Sequence, residues 1–183
     1  MVSEEVDPQR LVFVDEMGAN TSLHSLYAWS RRGERAYCST PRNRGKNTTV
    51  LASMNVEGMG PSLAVTGPIN ATFFEAYLEQ VLLPHLRPGQ IVVMDNLSAH
   101  KSERVVKLVE AADCEVLYLP PYSPDFNPIE GAFSKIKGIL RKVEARTREA
   151  LVEAIGKALN TITARDVRGF FEHCGYCAVV QPF

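Results

Sequence analysis

Residues 11–16 read LVFVDE and residues 91–96 read IVVMDN, two runs of four apolar residues that each give way to an aspartate. A short unbroken apolar run with no polar alternation is the pattern of a strand covered on both faces. A strand of that kind needs helices above and below its sheet, so the pair of runs implies an α/β architecture. Asp15 and Asp95 should then emerge at the carboxyl ends of their strands, the edge where open α/β sheets bind ligands.

Working outward from these runs gives the remaining elements. TTVLASMN (48–55) and PSLAVTG (61–67) are β-like and separated by EGMG, a turn signal that predicts a hairpin. INATFFEAYLEQVLLPHL reads as a helix with Asn70 or Thr72 as its N-cap and Pro88-Gly89 as its stop. Helical spacing recurs from Ser102 to Ala112, and EVLYL (115–119) is predicted to be a third buried strand. After the proline-rich PPYSPDFNP, a helix should begin at Pro128, with Phe133, Ile136, Leu140 and Val143 on its apolar face. Two further helical stretches, near 148–160 and 165–173, complete a mixed sheet flanked by helices. The division this predicts is a core over residues 1–145 and a helical C-terminal extension of the same domain over 146–183.

Chain length and composition agree. With 183 residues and 45% apolar content, one domain should bury roughly 70% of its unfolded surface. No apolar run reaches the length of a membrane span, and the acidic MVSEEVDPQR does not resemble a secretory leader, so a cytoplasmic location is expected. Cysteines at 38, 114, 174 and 177 lack the density of a disulfide scaffold and are expected as reduced thiols. Cys174 and Cys177 form a CxxC beside His173, but no second ligand pair of zinc-site spacing accompanies it.

Net charge is −1, yet its distribution is uneven. Twelve of the twenty basic residues fall in RRGERAYCSTPRNRGK (31–46) and KIKGILRKVEARTR (135–148), each with one acid. A single charge run usually marks a solvated face. Two such runs beside candidate metal carboxylates point to a polyanion, with Arg31, Arg32, Arg42, Arg44, Lys46, Lys137 and Arg141 as phosphate contacts.

Three carboxylates carry the chemistry. If the strands of Asp15 and Asp95 are neighbours, their mutual repulsion favours a cation between them; an aspartate at a strand end also serves as a turn or cap residue. Glu130 has two readings as well. Asn127 as N-cap, Pro128 at the first helical position and Glu130 three residues after the cap make a capping-box pattern. At 100° per residue, however, Glu130 lies beside the apolar stripe, with Ser134, Lys137 and Arg141 on its own face. Asn96 and His100 are candidates for orienting the carboxylates or a phosphate, His100 alternatively being a plain helix-start residue. Trp29 fits either a base-stacking role or a hairpin core.

VDE (14–16), MDNLSAH (94–100) and LPPYSPDFNPIE (119–130) resemble the three catalytic blocks of DDE transposases of the mariner-like superfamily, in particular the branch found in bacterial insertion sequences. The 34 residues between Asp95 and Glu130 match that branch, and YAWSRRGER (27–35) and EHCGY (172–176) extend the likeness over nearly the whole chain. The resemblance implies an RNase H-like fold with catalytic acids on the first strand, the fourth strand and a later helix. It also implies two Mg²⁺ ions, replaceable by Mn²⁺, held by Asp15, Asp95 and Glu130; cleavage of DNA at element ends and joining of 3′ ends to target DNA; and a homodimer on DNA, associated with the bacterial nucleoid. Family members carry an N-terminal helix-turn-helix region; here the first catalytic strand starts at residue 11, so the expected alternatives are that an upstream reading frame supplies that region, that the chain is a truncated copy, or that it is a domain taken alone. Two alternatives remain at this level: an RNase H-like nuclease without strand transfer, and an inactive or regulatory fragment that binds DNA or partner transposase without cutting.

Overall fold

The structure, a computed structural model, describes residues 6–37, 39, 41–42, 45–97 and 100–176. Five strands form one sheet: β1 (Leu11–Ala19), β2 (Thr48–Asn55), β3 (Gly58–Thr66), β4 (Ile91–Met94) and β5 (Glu115–Tyr118), in the order β3-β2-β1-β4-β5. The β1–β2 and β2–β3 pairs are antiparallel, whereas β1–β4 and β4–β5 are parallel. Five α-helices cover it: α1 (Ala71–Tyr77), α2 (Glu103–Glu110), α3 (Ile129–Val143), α4 (Arg148–Leu159) and α5 (Ala164–His173). This is the mixed, helix-flanked sheet expected of an RNase H-like fold.

Strand alternation divides the core in two. Leu11, Phe13, Met17 and Ala19 of β1 point to the face covered by α3, α4 and α5, where Phe133, Ile136, Leu140, Leu151, Ile155, Val167 and Phe171 complete the packing. Val12 and Val14 point to the other face and meet Phe74, Tyr77, Val105 and Val109 of α1 and α2, together with Leu78 and Leu82. The apolar run of β1 (11–14) and all of β4 are thereby buried on both faces, as those runs predicted.

Local capping chemistry places the helices. The Asn70 side chain accepts the Phe73 N–H at 2.9 Å, so Asn70 rather than Thr72 caps α1, and Ser102 caps α2 by accepting the Val105 N–H at 3.2 Å. Past Tyr77, α1 widens into a π-helical turn (Leu78–Leu82) and tightens into a 3-10 turn (Leu83–His85), ending before the Pro88-Gly89 stop. A capping box does occur in the chain, but at α5, where Thr163 and Asp166 bond reciprocally.

Several expectations are corrected. β1 does not end at its acids: antiparallel pairing with β2 carries it on to Ala19, because β2 supplies partners after β4 has stopped. The hairpin turn is shorter than EGMG; Gly58-Met59-Gly60 already belongs to β3, and Asn55 Oδ1 accepts the N–H groups of Glu57 and Gly58 to close the turn. β5 is the sheet edge and is only partly buried, since nothing pairs with its outer side. Val143 is 53% exposed at the end of α3, where Glu144 turns left-handed (φ 51°) and breaks the apolar stripe.

The helices α3 and α5 meet at Gly131, where an added Cβ would stand 2.5 Å from Phe170 Cδ1. A ring edge cannot withdraw as a flexible chain end can, so Gly131→Ala is expected to destabilise the fold by about 1–3 kcal/mol through overpacking. Urea unfolding measures this; an unchanged midpoint would show that the two helices separate freely.

Candidate active site

Parallel pairing of β1 with β4 runs from Leu11–Ile91 to Val14–Met94 and stops there. The next residue on each strand is an aspartate, so Asp15 and Asp95 sit side by side where the sheet opens. Asp15 lies within β1 on the face toward α3 and is only 6% exposed; Asp95 has left β4 and is half-buried. Glu130, in the first turn of α3, reaches the same place from above and is exposed. All three line one cleft of about 380 Å³ with Asn96, Leu97, Tyr122 and Asn127. The structure therefore brings together the three acids singled out from sequence.

Each aspartate is held by uncharged or ring nitrogen donors. Asp15 Oδ1 accepts the Glu16 N–H at 2.7 Å and its Oδ2 accepts Asn127 Nδ2–H at 2.8 Å. Asp95 Oδ1 accepts the Leu97 N–H at 3.1 Å and the His100 ring at 2.6 Å. A carboxylate only accepts, so His100 Nδ1 carries the proton. His100 is fully buried, its ring stacked on Phe74 with centroids 4.0 Å apart, and Tyr118 Oη donates to its backbone carbonyl at 2.8 Å. These contacts hold the imidazole in place against Asp95. Asn96 lines the cleft but makes no hydrogen bond to either aspartate.

Asn127 was expected to cap α3, and it does not. Helix α3 begins at Ile129 after Pro128 with no side-chain cap, and the Asn127 amide turns instead to Asp15. The competing explanation for Glu130, a capping box, is thereby removed. Sequence reasoning missed Asn127 as a site residue because its position before Pro128 satisfied the capping rule so completely.

Electrostatics set the two aspartates apart. Burial pushes Asp15 up to about 7, opposed by the Glu16 N–H, while the negative charges of Glu130 and Asp95 raise it further. Burial also acts on Asp95, but the His100 hydrogen bond, the electrostatic influence of that ring and the Leu97 N–H outweigh it and hold the carboxyl below its ordinary value. Glu16, on the opposite face of β1, is half-buried and raised chiefly by desolvation.

The donor set tests the fit of a divalent cation. Among the described residues, no three His, Cys, Asp or Glu side chains close into a metal cage. The chemistry of the cleft nonetheless suits Mg²⁺ or Mn²⁺: three carboxylates, all oxygen donors, and Asn127 Oδ1, a buried acceptor with no partner among the described residues. Asp15, costly to ionise where it stands, gains most from a cation.

None of the basic residues singled out from sequence lines this cleft among the described residues. The chain leaves β1 at the same sheet edge and runs exposed from Leu26 to Tyr37, with Trp29 fully exposed, so the hairpin-core reading of Trp29 is overturned. Arg146 ties the base of this segment down by donating to the carbonyls of Thr21 and Leu23. Arg31, Arg32, Arg42 and Lys46 are exposed and, with half-buried Lys137 and Arg141 on α3, make no ion pair among the described residues. Arg44 and Cys177 lie outside the described residues; Cys114 and Cys174 are free thiols.

Folded Asp15 keeps its proton up to about pH 7, whereas the unfolded chain loses it near 4. The folded state binds more protons between those values, so Asp15 lowers stability as pH rises through that window. In chelator, Asp15→Asn is expected to raise the thermal midpoint at pH 8 by on the order of 5 °C, with the gain vanishing toward pH 4. A gain independent of pH, followed by scanning calorimetry, would contradict the assignment.

Known proteins share this architecture. The sequence profile of the family described as DDE superfamily endonuclease matches residues 10–152. The Transposable element Tcb1 transposase of Caenorhabditis briggsae is 26% identical over 137 residues, covering 71% of this chain and 50% of that protein. The chain thus spans about half the length of this curated relative. Among solved structures, a pre-cleavage Mos1 transpososome superposes with a TM-score of 0.76 at 19% identity, covering 96% of this chain and 57% of the other. The catalytic domain of Mos1 mariner transposase gives 0.66 at 17% identity, covering 91% and 79%. At these identities the superpositions establish the fold, and the profile match establishes the family: the chain belongs to the DDE superfamily endonucleases.

Proposed function

We propose that this chain is the catalytic domain of a mariner-like DNA transposase, which cleaves phosphodiesters at element ends and joins the freed 3′ hydroxyls to target DNA. The observation that carries this reading is the convergence of Asp15, Asp95 and Glu130 from β1, the end of β4 and α3 on one cleft. Mos1 transposase, whose fold this chain shares, has been solved in paired-end complexes with Mg and with Mn and as a strand transfer complex. The placement within the bacterial insertion-sequence branch, and with it a site of action on chromosomal DNA in the cytoplasm, rests on the motif blocks and their spacing.

Asp15 would hold both of two divalent ions, Asp95 one and Glu130 the other. When bound, such ions stabilise the attacking and leaving oxygens of an in-line displacement and lower the pKa of water. The chain's own side chains fix the geometry. His100 holds Asp95 Oδ1 and Asn127 holds Asp15 Oδ2, so neither carboxylate swings when substrate enters. Arg31, Arg32, Arg42, Lys46, Lys137 and Arg141, with Arg44, would grip phosphates on either side of the scissile bond. In the first step water attacks phosphorus and the bond to the 3′ oxygen breaks, releasing a 3′ hydroxyl. In the second that hydroxyl attacks a target phosphodiester, and the target strand's own 3′ oxygen leaves. A homodimer on DNA brings two ends together, with an upstream-encoded helix-turn-helix region recognising their sequence.

With that region and element-end DNA supplied, Asp15→Asn, Asp95→Asn and Glu130→Gln are each expected to lower nicking by at least about 10²-fold while the folded signal persists. Cleavage retained by any one of them removes it from the catalytic set. Strand transfer from a pre-cleaved 3′ end separates a transposase from a nuclease of the same fold. Binding should weaken steeply with salt, and replacing Lys137 or Arg141 by alanine should reduce the log–log slope by about 1 each. A slope unmoved by both would dismiss the α3 face as a phosphate contact.

A further inference from the structure

The PDFNP run (124–128) that precedes α3 places an amide where a cap was expected, and that amide does something more specific. Asn127 is 5% exposed, in extended backbone (φ −113°, ψ 92°), closing the 3-10 turn Pro124–Phe126. Its backbone carbonyl accepts the Glu130 N–H at 3.1 Å, while its side chain donates to Asp15 Oδ2 at 2.8 Å. One residue therefore bonds to Glu130 through its main chain and to Asp15 through its side chain.

The chemistry of the side chain matters. With Glu16 N–H on Oδ1 and Asn127 Nδ2–H on Oδ2, both oxygens of Asp15 carry one fixed donor, which locks the plane of the carboxylate. Each oxygen retains a second lone pair for a cation. A lysine or arginine in place of Asn127 would satisfy Asp15 with positive charge and compete with a metal ion; an acid would add a fourth negative charge. A neutral amide orients without changing the charge. Helix α3 gains no cap from this side chain, because the amide is committed to Asp15.

We propose that Asn127 is a positioning residue for the carboxylate cluster: it locks the Asp15 carboxylate and, through the first turn of α3, sets the separation of Asp15 and Glu130. This rests on the reading of the trio as a divalent-cation site. Outer partners of metal-binding carboxylates commonly alter metal affinity by about 10–100-fold.

The test uses the full chain, Mn²⁺ as probe and element-end DNA with the upstream region supplied. Asn127→Ala is expected to weaken Mn²⁺ binding in calorimetry by at least about tenfold and to lower kcat for nicking while KM for DNA stays unchanged. Asn127→Asp keeps the size and shape but replaces the donor with an acceptor; it should also lower kcat at saturating Mn²⁺. An Asn127→Ala protein that binds Mn²⁺ as tightly as the native chain, with only its melting temperature reduced, overturns the proposal. Should that variant not fold, Asn127→Asp decides, and native kcat in it overturns the proposal too. If the native chain binds Mn²⁺ but nicks no DNA, the transposase reading fails, and the Mn²⁺ affinities alone decide the role of Asn127.

Discussion

Parallel hydrogen bonding between β1 and β4 reaches the Val14–Met94 pair and goes no further, while β1 continues for five more residues against β2. The acids Asp15 and Asp95 fall at this fork. Up to Met94 both strands are sealed by helices on either face, so the chain can hold them in place only with apolar side chains. Beyond it the sheet opens, and the same rigid backbone that buried valines now delivers two carboxylates in register. Their spacing is therefore a property of the sheet, and helix α3 needs to add only Glu130.

Burial makes that arrangement expensive. Asp15 stands nearly sealed among its neighbours, near two other negative groups, and its carboxyl is driven up to about 7 as a result. A structural site would answer with a buried arginine or lysine. Here the answer is a backbone N–H, an amide and, for Asp95, a ring stacked on Phe74. The free cations stand outside, on the exposed segment after β1 and along α3, where they can face a phosphate backbone without neutralising the cleft. Negative charge inside and positive charge outside is the arrangement a metal-dependent enzyme acting on a polyanion needs.

Much of this could be read from residues alone, for identifiable reasons. LVFV and IVVM are unmistakable because only strands covered on both faces are apolar at every position. Asn70, one of the two cap candidates for α1, does cap it, because capping is local chemistry. The errors came where a distant partner decides. β1 runs past Glu16 because β2, more than thirty residues on, pairs with it. β5 resembles β4 in sequence but lies at the edge, a fact of sheet order rather than composition. Trp29, a residue type that usually packs inside, stands in solvent because the segment carrying it joins no hairpin. Asn127 is the sharpest case: the local rule predicted a cap, and a carboxylate 112 residues earlier in the chain claimed the amide.

The chemistry of the cleft thus turns on whether the three acids act as one site. Anomalous diffraction at the manganese edge, from crystals of the full chain grown with Mn²⁺, addresses this directly. Density between Asp15 and Asp95, with a second peak toward Glu130, is the expected result. Mn²⁺ bound only elsewhere on the protein, with the three carboxylates free of metal, would contradict it.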